Sequence, residues 1–599
     1  MRDNTGFLRV CVCACLLSVG SWQASPAKAT TWNVTQFGAV PNGSTDDTSY
    51  INATIAAAQP GDTVYFPAGV YDISNSINAK AGVALLGAAV DSTSIKYIAG
   101  AGANGTMINL GSQSNVQVSN LTLNGNNDSY LSTGISAGGS PVAPVSNEYI
   151  HNIAVTNYAN ANYPGAGVWL WGVSGSTVSN NQMSNGNTGT GLTGCSGCLQ
   201  ANNVVANCMF GVNDNSGMND TVINNTISII NQPSEGLAAM GVGGTNLLVQ
   251  GNVMNHWITS GLLLNCAIRN NVITATDGSG TWAGIEMAGG ANSDIFSGNV
   301  IIGGQIGGFT ETNNGFRQQL YYANNVVRGM AGGTNGGSGL IVGAGNQDGD
   351  SKQEYFYANT FAANTAAGIS IGGCQMFDFD SNVFSGNVGV GIAAGGTSPT
   401  TDMLRFVNNT ITNNGGGAIS SLQLSNLYFD SSNTVSGNGG SGNSTPTTTG
   451  TFYNNMPTVS IVGTATASVG SLVTFSSLFN DPGGYSAANY LWDLGGGLPV
   501  TTSTASFTYS QTGTYDVGLV VWDSLGRAAH EQLVLTVTAA GADAQSVDGG
   551  ALGTSADPAS VPEPSAAILT LVAGLTAAAC TARRRGQFSA GLLKQRPHR

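Results

Sequence analysis

The chain has 599 residues, of which 8% are charged against a usual roughly 25% in soluble domains, while 41% are hydrophobic and 86 are glycine. So much apolar content with so little charge excludes classical disorder, and a net charge of −14 excludes a basic nucleic-acid footprint. An acidic balance suits a neutral sugar polymer or a cation-bridged one and does not choose between them. Residues 1–29 read as a secretory signal: Arg2 and Arg9 precede an apolar run from Val10 to Val19, and Ala27-Lys28-Ala29 supplies the small-x-small cleavage site. Export implies an oxidising compartment. Before the tail, the mature chain keeps Cys195, Cys198, Cys208, Cys266 and Cys374, an odd number, with Cys195 and Cys198 spaced C-x-x-C. A disulfide within that pair, or from it to Cys208, stays open; no second pair or His cluster points to zinc or redox work.

The next stretch holds Phe37-Gly38-Ala39, Gly43, Asp46-Asp47-Thr48, and then Pro60-Gly61-Asp62-Thr63-Val64-Tyr65-Phe66-Pro67-Ala68-Gly69-Val70-Tyr71. It resembles the opening of the pectate lyase superfamily, which includes polygalacturonase-like, rhamnogalacturonase-like and epimerase-like members. In that family the segment is an N-terminal cap made of a short helix and the first coil. The resemblance implies a helix over 45–58, with Asp46 and Asp47 placed for its N-terminal dipole rather than for catalysis.

From there two phrases alternate. One is an Asn followed by a β-branched or apolar pair, running from Asn181 through Asn203, Asn225, Asn252, Asn271, Asn299, Asn325, Asn359, Asn382 and Asn409 to Asn433, in steps of 19 to 34. The other is a Gly followed by alternating apolar residues, as in Gly167-Val168-Trp169-Leu170 and Gly284-Ile285-Glu286-Met287. These pieces are strand-length, rich in Val and Ile and bounded by turn residues. A repeat of this size fits one coil of three short strands and their turns. Coils then stack at roughly 4.8 Å, inward residues form apolar ladders, and Asn at a turn can stack while tolerating a left-handed backbone. The fold expected over 30–455 is an all-β, right-handed parallel β-helix, a solenoid.

A Gly/Ser/Thr-rich linker over 437–450 leads to Tyr490-Leu491-Trp492-Asp493-Leu494-Gly495 and Tyr515-Asp516-Val517-Gly518-Leu519-Val520-Val521-Trp522-Asp523, which alternate with period two. They resemble the paired strands of a PKD domain, a small immunoglobulin-like β-sandwich, over 456–538, with Trp492 as its core tryptophan. Leu494 stands where an aromatic is usual, and Gly496 where Asp is common. Residues 539–560 read as a flexible linker. Val561-Pro562-Glu563-Pro564, an apolar stretch from Ala566 to Cys580, and Arg583-Arg584-Arg585 resemble a PEP-CTERM sorting tail over 561–585, followed by a basic extension over 586–599. The resemblance implies exosortase-type processing, transient membrane insertion and a cell-surface or matrix destination. The apolar run is shorter than the roughly 20 residues that span a bilayer comfortably.

Chemistry is sought on the outward residues of successive coils. Counting two residues past each Gly gives a column of Trp169, Thr193, Asn213, Ala238, Leu263, Glu286, Ile341 and Ser370; counting four gives Trp171, Asn215, Met240 and Asn265. Trp169 and Trp171 suit stacking on sugar rings, with Asn213 and Tyr321 as further substrate contacts. Glu286 breaks an apolar strand and needs water, a partner or a function. Glu235 precedes it by two coils, roughly 9–10 Å, near the spacing of an inverting glycosidase pair. A lyase would instead need a base, for which Arg317, His256 or Tyr321 are candidates beside Glu311. No metal ligands are assigned and no cofactor is certain. Calcium stays open at Asn346, Asp348 and Asp350, where Ser351 replaces the EF-hand glycine, and at Asp378 and Asp380. The polygalacturonase residue set and the Asp-Pro-His-Asp signature of mannuronan epimerases are absent. The function expected is a polysaccharide lyase or hydrolase; the alternative is a non-catalytic surface protein that binds polysaccharide or builds structure.

Overall fold

The computed structural model describes residues 29–539 apart from short stretches that include 159–164, 231–237, 276–282, 312–315, 343–350, 395–401 and 421–425. Residues 1–28 of the segment expected to be a signal (1–29), and residues 540–599, where the linker and sorting-type tail are expected, lie outside the described residues. Among the described residues no helix is long and apolar enough to cross a membrane.

From Thr31 to Ser436 short strands pair in parallel, coil upon coil, in a right-handed β-helix. It has three faces. The groove face runs through Thr106–Gly111, Thr133–Gly138, Ala166–Trp171, Thr188–Thr193, Phe210–Met218, Met240–Thr245, Ile258–Leu264 and Ala283–Met287. The docked face runs through Tyr149–His151, Thr177–Ser179, Leu199–Ala201 and onward to Ile295–Ser297, Arg317–Ala323 and Ser351–Tyr357. These two faces form one 31-stranded sheet because several strands continue around the corner between them. The ladder face is a separate 16-stranded sheet.

Period-two alternation buries every second residue. On the ladder face Val155, Met183, Val205 and Ile227 stack at one register, all buried. Further along, Phe296, Tyr322, Phe356, Phe379 and Phe406 stack inside the coil with centroids 4.9, 4.5, 4.6 and 4.8 Å apart. Fully burying each such side chain is worth roughly 1.5–3 kcal/mol, which anchors the register.

The recurrent Asn forms a buried ladder. From Asn181 to Asn433, each Nδ2 donates to the Oδ1 of its equivalent one coil on, at 2.8–3.1 Å. The expectation that the same Asn also takes the left-handed backbone is corrected. That conformation belongs to the residue before it, as at Asn180 (φ 56°), Asn202 (55°), Asn270 (53°) and Asn324 (56°). Two consecutive residues divide the work: one turns the chain, and the next fills the interior with an amide whose groups are all bonded. A second ladder that the repeat reading missed joins Asn364, Asn387, Asn414 and Asn438 at 2.8–2.9 Å.

The N-terminal cap has a helix over Thr48–Ala57. It starts later than the expected residue 45 because Asn42–Asp46 pairs with Gly69–Ile73. Asp46 accepts from the Thr48 backbone N–H at 3.1 Å, and Asp47 from that of Val40 at 2.7 Å, so both carboxylates serve the cap. At the other end a three-stranded and a four-stranded sheet form the sandwich, with Trp492 fully buried and its Nε1 donating to the Thr502 carbonyl at 2.8 Å.

The sandwich packs on the C-terminal half of the docked face. Leu491, Val520, Trp522 and Ala528 bury against Ala267, Ile295, Tyr321 and Tyr355. Arg269 of the β-helix reaches Asp493 of the sandwich at 2.9 Å, both nearly sealed from solvent, with the approach off the line of a good hydrogen bond. His530 sits among Tyr321, Tyr355 and Tyr357 at 5.5, 5.0 and 4.1 Å between ring centroids, and shares a 2.8 Å hydrogen bond between its Nε2 and the Tyr321 hydroxyl. Burial pushes His530 down to about 4. Arg527 ties the linker end to the sandwich through Asp523 (2.7 Å), Asp481 (2.9 Å) and the Asn454 carbonyl (2.8 Å).

Candidate functional site on the groove face

A cavity of about 490 Å³ opens on the groove face, spanning five coils from Thr106–Gly111 to Phe210–Met218. Trp169, Trp171 and Phe210 give it apolar walls; Thr106, Thr133, Ser136, Thr188, Asn187 and Asn213 supply hydroxyls and amides. None of its lining side chains is charged. The backbone explains the shape. Inward Val168 and Leu170 pin the strand 166–171, so Trp169 and Trp171 must point out, and Trp171 is 43% exposed. Glycines on the adjacent coils let the indoles settle onto the sheet. A Cβ at Gly138 would lie 2.0 Å from Trp171 ring atoms, and one at Gly191 would lie 3.0 Å from Trp169. The Asn213 Oδ1 accepts from the Gly241 N–H at 3.1 Å, and the Thr188 hydroxyl donates to Asn187 Oδ1 at 3.1 Å, which orients the polar wall.

The outward column reads Ser136, Trp169, Gly191, Asn213, Gly241, Thr259, Glu286, Thr310, Ile341 and Ser370. Thr193, Ala238 and Leu263 therefore do not belong to it. Thr193 pairs with Trp171 in the neighbouring outward column, and a register shift between Val242 and Gly244 sets Leu263 opposite Gly244. Glu286 keeps its place, half-buried, with Oε2 accepting from the Thr259 hydroxyl at 2.8 Å. It stands five coils beyond Trp169, roughly 24 Å along the axis. Glu235 and the Asn346, Asp348 and Asp350 turn lie outside the described residues.

Three expected site residues lie elsewhere. Arg317 is buried at the corner between faces, where its Nη2 donates to the carbonyls of Met287 (3.0 Å) and Gly289 (3.4 Å). There it shares the interior with Glu311, which accepts from the hydroxyls of Tyr322 (3.0 Å) and Ser351 (2.7 Å), and with Glu354, pushed well above the carboxylate range by burial and by Glu311. His256 is also buried, away from solvent contact. Tyr321 lies under the sandwich rather than in an open groove. Asp378 and Asp380 are likewise engaged: Arg405 reaches Asp378 at 3.1 Å, and the Tyr355 hydroxyl donates to Asp380 at 3.0 Å.

All five described cysteines are buried free thiols. The Cys195 thiol donates to the Leu170 carbonyl at 3.5 Å and the Cys198 thiol to that of Val173 at 3.7 Å, and the interaction between the two thiols favours a lower value for Cys195 and a higher one for Cys198. Nearby, burial and then Asp220 push Asp214 up to about 8, while burial pushes Asp294 and Glu148 up to about 8.

Comparison with known proteins agrees with this architecture. Residues 31–238 match the family described as rhamnogalacturonase A/epimerase, pectate lyase-like, and residues 454–538 match the PKD domain. The molecule is thus a parallel β-helix with an appended sandwich. Its β-helix is pectate lyase-like and its sandwich is a PKD domain. Residues 146–335 also match the family described as periplasmic copper-binding protein (NosD). Among the described residues no three His, Cys, Asp or Glu side chains come together to hold a metal ion.

Among curated relatives, mannuronan C5-epimerase AlgE3 of Azotobacter vinelandii is 39% identical over 110 residues, 16% of this chain and 6% of that protein. Alginate lyase 7 of the same organism is 42% identical over 81 residues, 13% of this chain and 9% of that protein. The chain therefore spans less than a tenth of either relative. The solved A-module of the A. vinelandii mannuronan C-5 epimerase AlgE6 is 18% identical, with a TM-score of 0.35, over 65% of this chain and 100% of that one.

Proposed function

We propose that this is an exported, carbohydrate-active β-helix protein that holds a polysaccharide along its groove face, with the Trp169–Trp171 cavity as the anchoring subsite. The observation that carries this reading is the open cavity walled by two outward indoles and a row of hydroxyls and amides, the chemistry a sugar ring presents in complement. Its length along the axis, roughly 19 Å over four coil steps, suits a chain rather than a single ring. The names of the relatives lend weight to a carbohydrate ligand. Export and a surface destination rest on the two ends of the sequence.

As an enzyme the protein would work through Glu286, the one charged side chain of the outward column. A hydrolase would use it to protonate the departing glycosidic oxygen or to activate water; a lyase would use it near the proton to be abstracted. The non-catalytic reading is favoured by a different observation: Glu286 stands roughly 24 Å from the indoles.

The test is a screen of the mature protein against pectins, alginate and neutral glycans, with and without calcium, following new reducing ends and the absorbance of unsaturated products. Reducing ends alone mean a hydrolase; both signals mean a lyase. Loss of the signal in Glu286→Gln places the chemistry. Binding without turnover on every polymer leaves a polysaccharide-binding surface protein.

A further inference from the structure

Resting on the reading of the cavity as a sugar site, we infer that its ligand is a neutral glycan, and that polyuronates such as the mannuronan named among the relatives are not its substrate class. Residues 97–268 contain neither Lys nor Arg, so the coils that build the cavity offer no cation to a uronate carboxylate. Proteins that recognise carboxylates ordinarily place a guanidinium or ammonium against them, because a carboxylate stripped of water without a partner is costly.

The second route to an acidic polymer, a calcium ion shared between protein and sugar carboxylates, needs exposed acidic side chains. Residues 97–230 hold four acidic side chains, Asp128, Glu148, Asp214 and Asp220, and all are buried. Asp128 accepts from the backbone N–H groups of Gly100 (2.5 Å) and Leu131 (3.2 Å), and Asp220 from that of Cys198 (2.7 Å). None lines the cavity.

What the cavity does offer is uncharged. The hydroxyls of Ser136 and Thr106 lie 3.5 Å apart, Asn213 and Thr188 add an amide and a further hydroxyl, and Trp169 and Trp171 form the apolar surface. A neutral hexose presents hydroxyls around its rim and C–H groups on its faces, which matches this set. An acidic chain would also approach a protein of net charge −14, with long-range repulsion working against it.

The experiment measures binding of the mature full-length protein to soluble glucan, mannan and galactan, and to polygalacturonate and alginate, each with and without calcium. The variants are Trp171→Ala, which removes one wall, and Gly138→Ala, which displaces the indole while keeping it. The expected result is binding to at least one neutral polymer, little changed between about 0.05 and 1 M salt, and weakened about tenfold or more by both variants. Polyuronate bound more tightly than every neutral polymer, and lost in Trp171→Ala, overturns the neutral assignment while leaving the cavity a sugar site. Neutral binding untouched by both variants, or no polymer bound at all, overturns the sugar-site reading itself.

Discussion

The groove face and the docked face carry the same kind of outward side chain to opposite ends. On one, Trp169 and Trp171 wall an open cavity; on the other, Tyr321, Tyr355 and Tyr357 close around His530 of the PKD domain. Charge separates them. The cavity has no charged lining, whereas the covered face contributes Arg269 to Asp493 and Asn324 to Asp516, the latter at 3.3 Å. The outward aromatics of one face are covered by a protein partner with charged contacts, whereas those of the other wall an open cavity with none, the setting proposed above for a sugar.

The comparison breaks most easily at the interface. Arg269→Ala leaves Asp493 buried without its partner and should cost about 3–5 kcal/mol, read in urea unfolding followed at the buried Trp522. An unchanged midpoint would mean that the PKD domain is only tethered, and that the docked face is available to ligand.

A second effect distinguishes the interior of the groove-bearing coils. Asp214, Asp294 and Glu148 are each raised to about 8 by burial, so the folded protein keeps protons that unfolded carboxyls, near 4, have released. Their contribution favours the fold below about pH 4 to 5 relative to neutral pH, and it is lost as pH rises through the folded value of about 8. The thermal midpoint should therefore fall between about pH 5 and about pH 8.5, and Asp214→Asn should remove about 4 kcal/mol of that loss, roughly 3 pH units at about 1.36 kcal/mol each. Asp46 and Asp430, held below the usual range chiefly by their hydrogen bonds, act in the opposite sense only near pH 4 and lower. A midpoint that rises over the same range would show these acids to be hydrated.

The smallest effect is on ligand alone. Trp171→Ala should weaken polysaccharide binding about tenfold, roughly 1.4 kcal/mol, while shifting the thermal midpoint by no more than a few degrees, since the indole is 43% exposed and lies outside the coil interior. Tyr321→Phe should not alter polysaccharide binding, because its hydroxyl is spent on His530. Weakened binding in that variant would return Tyr321 to the substrate contacts.

Much of this was legible in the sequence because it rests on short periods. The Asn step, the Val/Ile strands and the cap motif mark a β-helix, and alternation after Gly167 turns Trp169 and Trp171 outward. Asn213 followed by the same rule. What was not legible sits at the corner between the groove and docked faces. There the chain turns at a left-handed residue that in successive coils is Asn246, Asn265, Ser293, Gln319, Gln353 and Met376, with φ between 55° and 60°. Gln and Met carry no turn signature, so the strands 317–323 and 351–357 read as unbroken. Arg317 and Tyr321, singled out as base candidates because they follow Glu286 by about one coil, fall on either side of that turn and are both buried. Applying the Gly rule to Gly134 would have added Ser136 to the cavity wall, and applying it to Gly189 gives Gly191, on which Trp169 settles.

The most direct test of the central claim is hydrogen–deuterium exchange of the mature protein with and without a saturating polysaccharide. The account predicts added protection in Thr133–Gly138, Ala166–Trp171, Thr188–Thr193 and Phe210–Met218, with Arg317–Ala323, Ser351–Tyr357 and the PKD strands unchanged. Protection on the docked face, or faster exchange in the PKD strands as the domain lifts away, would contradict it and move the ligand to the face now covered.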